Sequence, residues 1–147
     1  MKRIIFLLAT INLFFVSDLG AIEKGKWIFV VDDNYCYIAS APTKEEGDYT
    51  QRGDTYVLVY RINKSPDKIV QVTAGYNYDE SKPIILRIDQ TTFDFFGKED
   101  SAWTSDKDKE VIFAMKKGIT LIVEGYSLRG TLTTDTYTLK GFTSAFN

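Results

Sequence analysis

Residues 114–145 read Ala114-Met-Lys-Lys-Gly-Ile-Thr-Leu-Ile-Val-Glu-Gly-Tyr-Ser-Leu-Arg-Gly-Thr-Leu-Thr-Thr-Asp-Thr-Tyr-Thr-Leu-Lys-Gly-Phe-Thr-Ser-Ala145. A helix end, a buried strand, a turn and a second strand follow one another without a linker. Upstream, Ser105 is a capping candidate, with Asp108 three residues later. Val111, Ile112 and Met115 share one helical face. Lys116 and Lys117 suit the negative end of the helix dipole, and Gly118 is expected as a left-handed stop. The pattern predicts one helix over 105–117. Ile119–Tyr126 then reads as a strand, Ser127–Thr131 as a turn at Gly130, and Leu132–Leu139 as the last strand before a short tail at Gly141-Phe142. Leu121, Val123, Leu132 and Leu139 are expected core residues. The threonines between suit a strand with one solvated face.

Working outward, the rest of the chain is strand-like. Trp27–Val31 and Tyr35–Ser40 flank Asp32-Asp33-Asn34, a tight hairpin turn. Pro42–Asp54 is polar and reads as an exposed loop. Thr55–Ile62 and Ile69–Tyr76 are rich in β-branched and aromatic residues, and Ile84–Ile88 is expected to pair with Thr92–Phe96. About nine short strands, one helix and no βαβ rhythm predict a mainly β fold, an antiparallel β-sandwich or flattened barrel.

The start of the chain has a different character. Lys2 and Arg3 precede an apolar run from Ile4 to Val16, and Leu19-Gly20-Ala21 offers a cleavage point. This is the layout of a secretory signal peptide over 1–21. The run is short for a membrane span, which needs ~20 apolar residues. Residues 22–147 are then one β-rich domain, long enough for a core of its own. The whole chain carries 18 basic and 20 acidic residues, a net charge of −2. No concentrated basic run is present, which argues against a nucleic-acid partner. Nothing after the signal segment is apolar enough for a transmembrane span.

The chemistry is defined mostly by what is missing. The chain has no histidine, which removes Ser-His-Asp and Cys-His catalysis and most zinc sites. Cys36 is the one cysteine, so an internal disulfide is impossible. It is either a small core residue or a link to another chain. Asp32 and Asp33 suit a turn, and Asp106 and Asp108 suit a helix start. The Asp32–Asn34 cluster lacks the spacing of a calcium loop. No catalytic residue, metal ligand or cofactor site is expected. Arg52-Gly53-Asp54 spells a short adhesive tripeptide, which loop composition explains equally well. A tyrosine-lined groove with Arg61 or Arg87 is a further possibility. Arg129, Asp135 and Tyr137 are the residues with a recognition patch in prospect, and strand pairing could bring Arg129 and Asp135 into ion-pair range.

Several blocks resemble a known family. They are the Trp27 strand, the Cys36 strand ending Ser40-Ala-Pro42, Arg52-Gly-Asp-Thr-Tyr56 and Val72-Thr-Ala-Gly-Tyr76. Ile88-Asp89, Phe93, Ala102-Trp103, Ala114-Met-Lys-Lys-Gly118, Gly125-Tyr-Ser-Leu-Arg-Gly-Thr131 and Asp135-Thr-Tyr-Thr-Leu-Lys-Gly-Phe-Thr-Ser-Ala145 complete the set. Together they resemble the invasion-associated locus B family of Gram-negative, chiefly alphaproteobacterial, envelope proteins. The resemblance implies export to the periplasm or outer envelope and a compact β-rich domain. It implies no enzyme activity, cofactor or catalytic residue. Members often carry further cysteines, so a family-type disulfide is not available to Cys36 alone. The leading expectation is a non-catalytic binding or interaction domain with an unknown envelope protein or ligand as partner. The alternatives are a structural or stress-protective envelope protein, or a carboxylate-based hydrolase of envelope polymers.

Overall fold

The computed structural model describes residues 22–147. The signal peptide expected over 1–21 lies outside the described residues. Ten strands form one antiparallel sheet: β1 Ile28–Val31, β2 Tyr35–Ser40, β3 Lys44–Gly47, β4 Tyr56–Ile62, β5 Ile69–Thr73, β6 Ile84–Ile88, β7 Thr91–Lys98, β8 Ser101–Trp103, β9 Thr120–Tyr126 and β10 Leu132–Thr138. The order across the sheet is β1-β2-β4-β5-β8-β7-β6-β9-β10-β3. It curls into a half-barrel.

The curl is centred on β7. Its first part, Thr91–Phe95, pairs with β6, whereas Phe96–Lys98 pairs with β8. Partners staggered along one strand turn the sheet over. The expected hairpins are present: Val31 faces Cys36 across Asp32–Asn34, and Ile88 faces Thr91. Asp32 Oδ1 accepts from the Asp33 amide at 2.6 Å, the local Asp hydrogen bond that favours such turns.

Alternate residues of β4, β5, β6 and β9 point into one cluster that includes Val57, Val72, Leu86 and Leu121, all fully buried. Burying each such side chain contributes roughly 1.5–3 kcal/mol. Helix α1, Asp108–Lys117, adds Val111, Ile112 and Met115 to that cluster, the face expected from their spacing. A second helix, α2 Phe142–Phe146, adds Phe142. The Phe142 ring meets Trp27 edge-on at 4.9 Å, and the Trp27 indole N–H donates to the Thr138 carbonyl at 2.9 Å.

Five local expectations are corrected. The tail at Phe142 is helical, because its aromatic ring is core and draws the turn inward. Helix α1 begins at Asp108, and Thr104 rather than Ser105 makes the side-chain bond at its approach, Oγ1 accepting from the Lys107 amide at 2.6 Å. Gly118 is extended, at φ −81 and ψ 168, not left-handed. It is glycine because a Cβ there would lie 2.6 Å from Ile88 Cγ2 and 2.9 Å from Leu139 Cδ1. Leu132 is 44% exposed, since β10 turns Thr133, Asp135 and Tyr137 inward instead. The segment 42–54 is not simply an exposed loop: Lys44–Gly47 is strand β3, paired with Thr133–Thr136 of β10.

Candidate functional site

An aspartate at an inward strand position is costly unless it is paired. Asp135 sits at such a position on β10 and is buried. Its partner is Arg52, from the connection between β3 and β4. The guanidinium Nη1 and Nη2 donate to Asp135 Oδ1 and Oδ2, both at 2.6 Å. Arg52 Nε donates to the Ala74 carbonyl at 2.6 Å, and its side chain is only 4% exposed. The planar fork therefore spans two separate parts of the fold, which a lysine could not do bidentately.

Aromatic rings close around this pair. The Arg52 guanidinium lies 5.4 Å from the Tyr49 ring centre and 5.1 Å from that of Tyr76, within cation–π range. The Tyr76 hydroxyl and Thr133 Oγ1 share a hydrogen bond of 2.7 Å. Tyr76 in turn meets Tyr78 edge-on at 5.3 Å. Burial opposes the charge on Arg52, but the Asp135 carboxylate outweighs it and holds the guanidinium protonated beyond its ordinary range. Burial is also the larger influence on Asp135 and pushes its carboxyl up, while Arg52 pulls it down. Burial pushes Tyr76, Tyr78 and Tyr137 upward as well.

The backbone beneath Arg52 is tightly apposed. The Gly53 amide donates to the Gly75 carbonyl at 2.9 Å. Gly75 has φ +73, and a Cβ there would strike the Gly53 carbonyl. Only glycine meets both demands. Tyr78 fixes two further glycines: a Cβ at Gly97 would lie 2.9 Å from its Cβ, and one at Gly125 2.6 Å from its Cε1.

Three connections meet above this floor: Asp48–Gly53, Gly75–Asn77 and the Ser127–Thr131 turn. They enclose a cleft of about 680 Å³. The turn is held by the Ser127 amide donating to the Thr131 carbonyl at 2.9 Å, and the Leu128 amide donating to Asn77 at 2.9 Å. Gly130 takes φ +83, as its turn position predicts. Among the cleft-lining side chains, Asp48, Gln51, Asn77 and Arg129 have no side-chain hydrogen-bond or ion-pair partner among the described residues. Loop-borne polar groups over a rigid floor suit recognition of a polar ligand.

The residues singled out from sequence fall in different places. Arg129 is exposed on the cleft rim. Asp135 lies beneath the floor, paired with Arg52 and not with Arg129. Tyr137 is fully buried, and its hydroxyl has no partner among the described residues. Arg52, read only as part of an Arg-Gly-Asp tripeptide, is the residue that the sequence analysis missed. Its buried guanidinium cannot serve as an exposed adhesive group. Arg87 pairs with Glu124 at 2.9 Å, and Arg61 Nε donates to Cys36 Sγ at 3.0 Å. Cys36 itself is half-buried.

Fold and site define a small antiparallel half-barrel with a polar, loop-lined cleft at one mouth, floored by a buried arginine–aspartate pair. The chain belongs to the invasion associated locus B (IalB) protein family, whose model matches residues 30–147. The fold is also that of invasion associated protein b from Bartonella henselae. That crystal structure superposes with a TM-score of 0.56 at 18% sequence identity, covering 84% of this chain and 91% of the other. No curated protein matches the sequence.

Proposed function

We propose that this family member is an exported protein of the cell envelope that acts by binding and not by catalysis, with the three-loop cleft as its recognition site. One observation carries the reading. The strongest charges at the site, Arg52 and Asp135, satisfy each other beneath the floor, while Gln51, Asn77 and Arg129 stand at the cleft without internal partners. The arrangement is a fixed base under adaptable polar groups, which lowers the ordering cost of binding.

The hydrolase alternative needs two carboxylates facing one another across a cleft. Among the described residues, Asp48 is the one carboxylate lining this cleft. Among the described residues no helix is long and apolar enough to cross a membrane, and no cluster of three or more potential metal ligands occurs. The amino-terminal signal layout and the family support export.

The test is capture from envelope extracts on the immobilised protein, with an R129A/N77A variant as control, alongside fractionation of producing cells. The reading expects a reproducible ligand or partner retained by the unsubstituted protein and lost by the variant, with the protein in the envelope fraction. Capture that the variant retains, or a cytoplasmic protein, contradicts it.

A further inference from the structure

The end of the half-barrel opposite the cleft carries a second surface of different chemistry. Strand β9 runs from Thr120 at one end to Tyr126 beside the cleft turn, and seven residues of strand span roughly 23 Å. At the far end, Ile119 is 75% exposed and Phe113 on α1 is 60% exposed. Neither is needed by the core, because α1 packs through Val111, Ile112 and Met115. An open groove between α1 and the β6–β7 hairpin, floored by Ile88, Phe93 and Ala114, adjoins Phe113.

Lysines gather at the same end, two on the Phe113 groove and others beside the neighbouring Phe146 of α2. Lys117 Nζ lies 4.2 Å from the Phe113 ring centre. Lys116 and Lys68 Nζ lie 3.9 and 5.2 Å from that of Phe146. Lys109 lines the groove. Lys140 follows Leu139, whose amide donates to the Ile119 carbonyl at 2.9 Å. None of these five lysines has an ion-pair partner among the described residues. Carboxylates share this end, and Asp89 and Glu110 line the groove itself, so the lysines outnumber the acidic groups rather than stand alone. Asp89 accepts from the Ile119 and Thr120 amides at 3.1 Å, Asp108 from the Val70 amide at 2.8 Å, and Glu110 lies 3.7 Å from Lys107. A chain of net charge −2 thus gathers lysines without ion-pair partners among the described residues at the end that exposes Ile119 and Phe113.

We propose that this end docks on an anionic phospholipid surface. The lysines would meet the lipid phosphates, and Phe113 and Ile119 would enter the headgroup–acyl boundary. Charge complementarity selects the lipid, and the apolar pair distinguishes a membrane from a soluble polyanion, which has no place for it. Docking in this pose leaves the cleft facing away from the bilayer. The inference does not rest on the cleft having a ligand.

The experiment is co-sedimentation of the full-length expressed protein with phosphatidylglycerol-containing vesicles and with pure phosphatidylcholine vesicles. Because residues 1–21 are themselves apolar, each variant is compared with unsubstituted protein bearing the same amino terminus. Expected are binding to the anionic vesicles only, a loss of more than about 30-fold in K116E/K117E, since removing two cations near the surface alone costs that much before the added negative charges count, and a clear loss in F113S/I119S. High salt should release the protein, since the Debye length falls to about 3 Å at 1 M. Thermal melts of these variants should match the unsubstituted protein, and R129A should bind vesicles normally. Equal binding to both vesicle types, binding unchanged in K116E/K117E, no vesicle binding, or self-association through this face in its place would overturn the proposal.

Discussion

Replacing Arg52 by methionine probes the pair beneath the cleft most sharply. The change keeps an unbranched side chain but removes both 2.6 Å bonds to Asp135 and the 2.6 Å bond to the Ala74 carbonyl. Asp135 is then left as a buried carboxylate without a counter-charge, which costs about 3–5 kcal/mol. Domains of this kind have ~5–15 kcal/mol in total, so the loss is about a fifth of the stability or more. At roughly 4 °C per kcal/mol for this size, Tm falls by about 12–20 °C. Urea unfolding with a fitted m-value is the assay, because a constant m shows that stability alone changed. The same reasoning makes a second demand. Arg52→Met/Asp135→Leu removes both charges, leaves nothing buried and unpaired, and should be more stable than Arg52→Met alone. A single-variant cost below about 1 kcal/mol, or strictly additive costs in the cycle, would refute the reasoning.

Further outcomes follow from the same core. Tyr137→Phe deletes a buried hydroxyl with no partner among the described residues, so urea unfolding should show unchanged stability or a gain of up to about 1 kcal/mol; a loss of that size would show the hydroxyl is bonded. Gly125→Ala puts a Cβ 2.6 Å from Tyr78 Cε1 and should cost about 1–3 kcal/mol by overcrowding, read as a lower Cm in urea. Alkaline pH should unfold the domain. Burial raises Tyr76, Tyr78 and Tyr137 above the ordinary value of 10.0; groups raised in the folded state stabilise it fully below their unfolded pKa and lose that contribution as pH climbs through the folded one. Absorbance titration should therefore show these tyrosines ionising only with the loss of near-ultraviolet circular dichroism, and their ionisation in the intact fold would contradict the burial.

Local patterns were legible in the sequence wherever one segment decided the outcome. The Asp32–Asn34 hairpin, the β6–β7 hairpin, the buried face of α1 and the Gly130 turn depend on neighbours a few residues apart. What could not be read depends on partners far along the chain. Arg52 and Asp135 are separated by 83 positions, and a buried arginine in a polar stretch has the same local composition as an exposed one. Strand β3, Lys44-Glu-Glu-Gly47, has no strand propensity of its own and exists because the edge of β10 pairs with it. The signal for Arg52 lay in β10: Thr133, Asp135 and Tyr137 alternate inward, and a charge at an inward position requires a distant counter-charge. Gly118 was misread for a similar reason. A glycine after a helix suggests a left-handed stop, and only the packed fold reveals Ile88 and Leu139 filling the space a side chain would need.

The central claim is that the cleft above the Arg52–Asp135 pair recognises a polar ligand. Amide chemical-shift mapping of the labelled protein against fractionated soluble envelope components tests it most directly. The account predicts shifts concentrated at 48–53, 75–77 and 127–131, abolished in R129A/N77A, a variant that should retain the unsubstituted melting temperature. Reproducible shifts confined to other surfaces, or no shifts from any fraction, would contradict it.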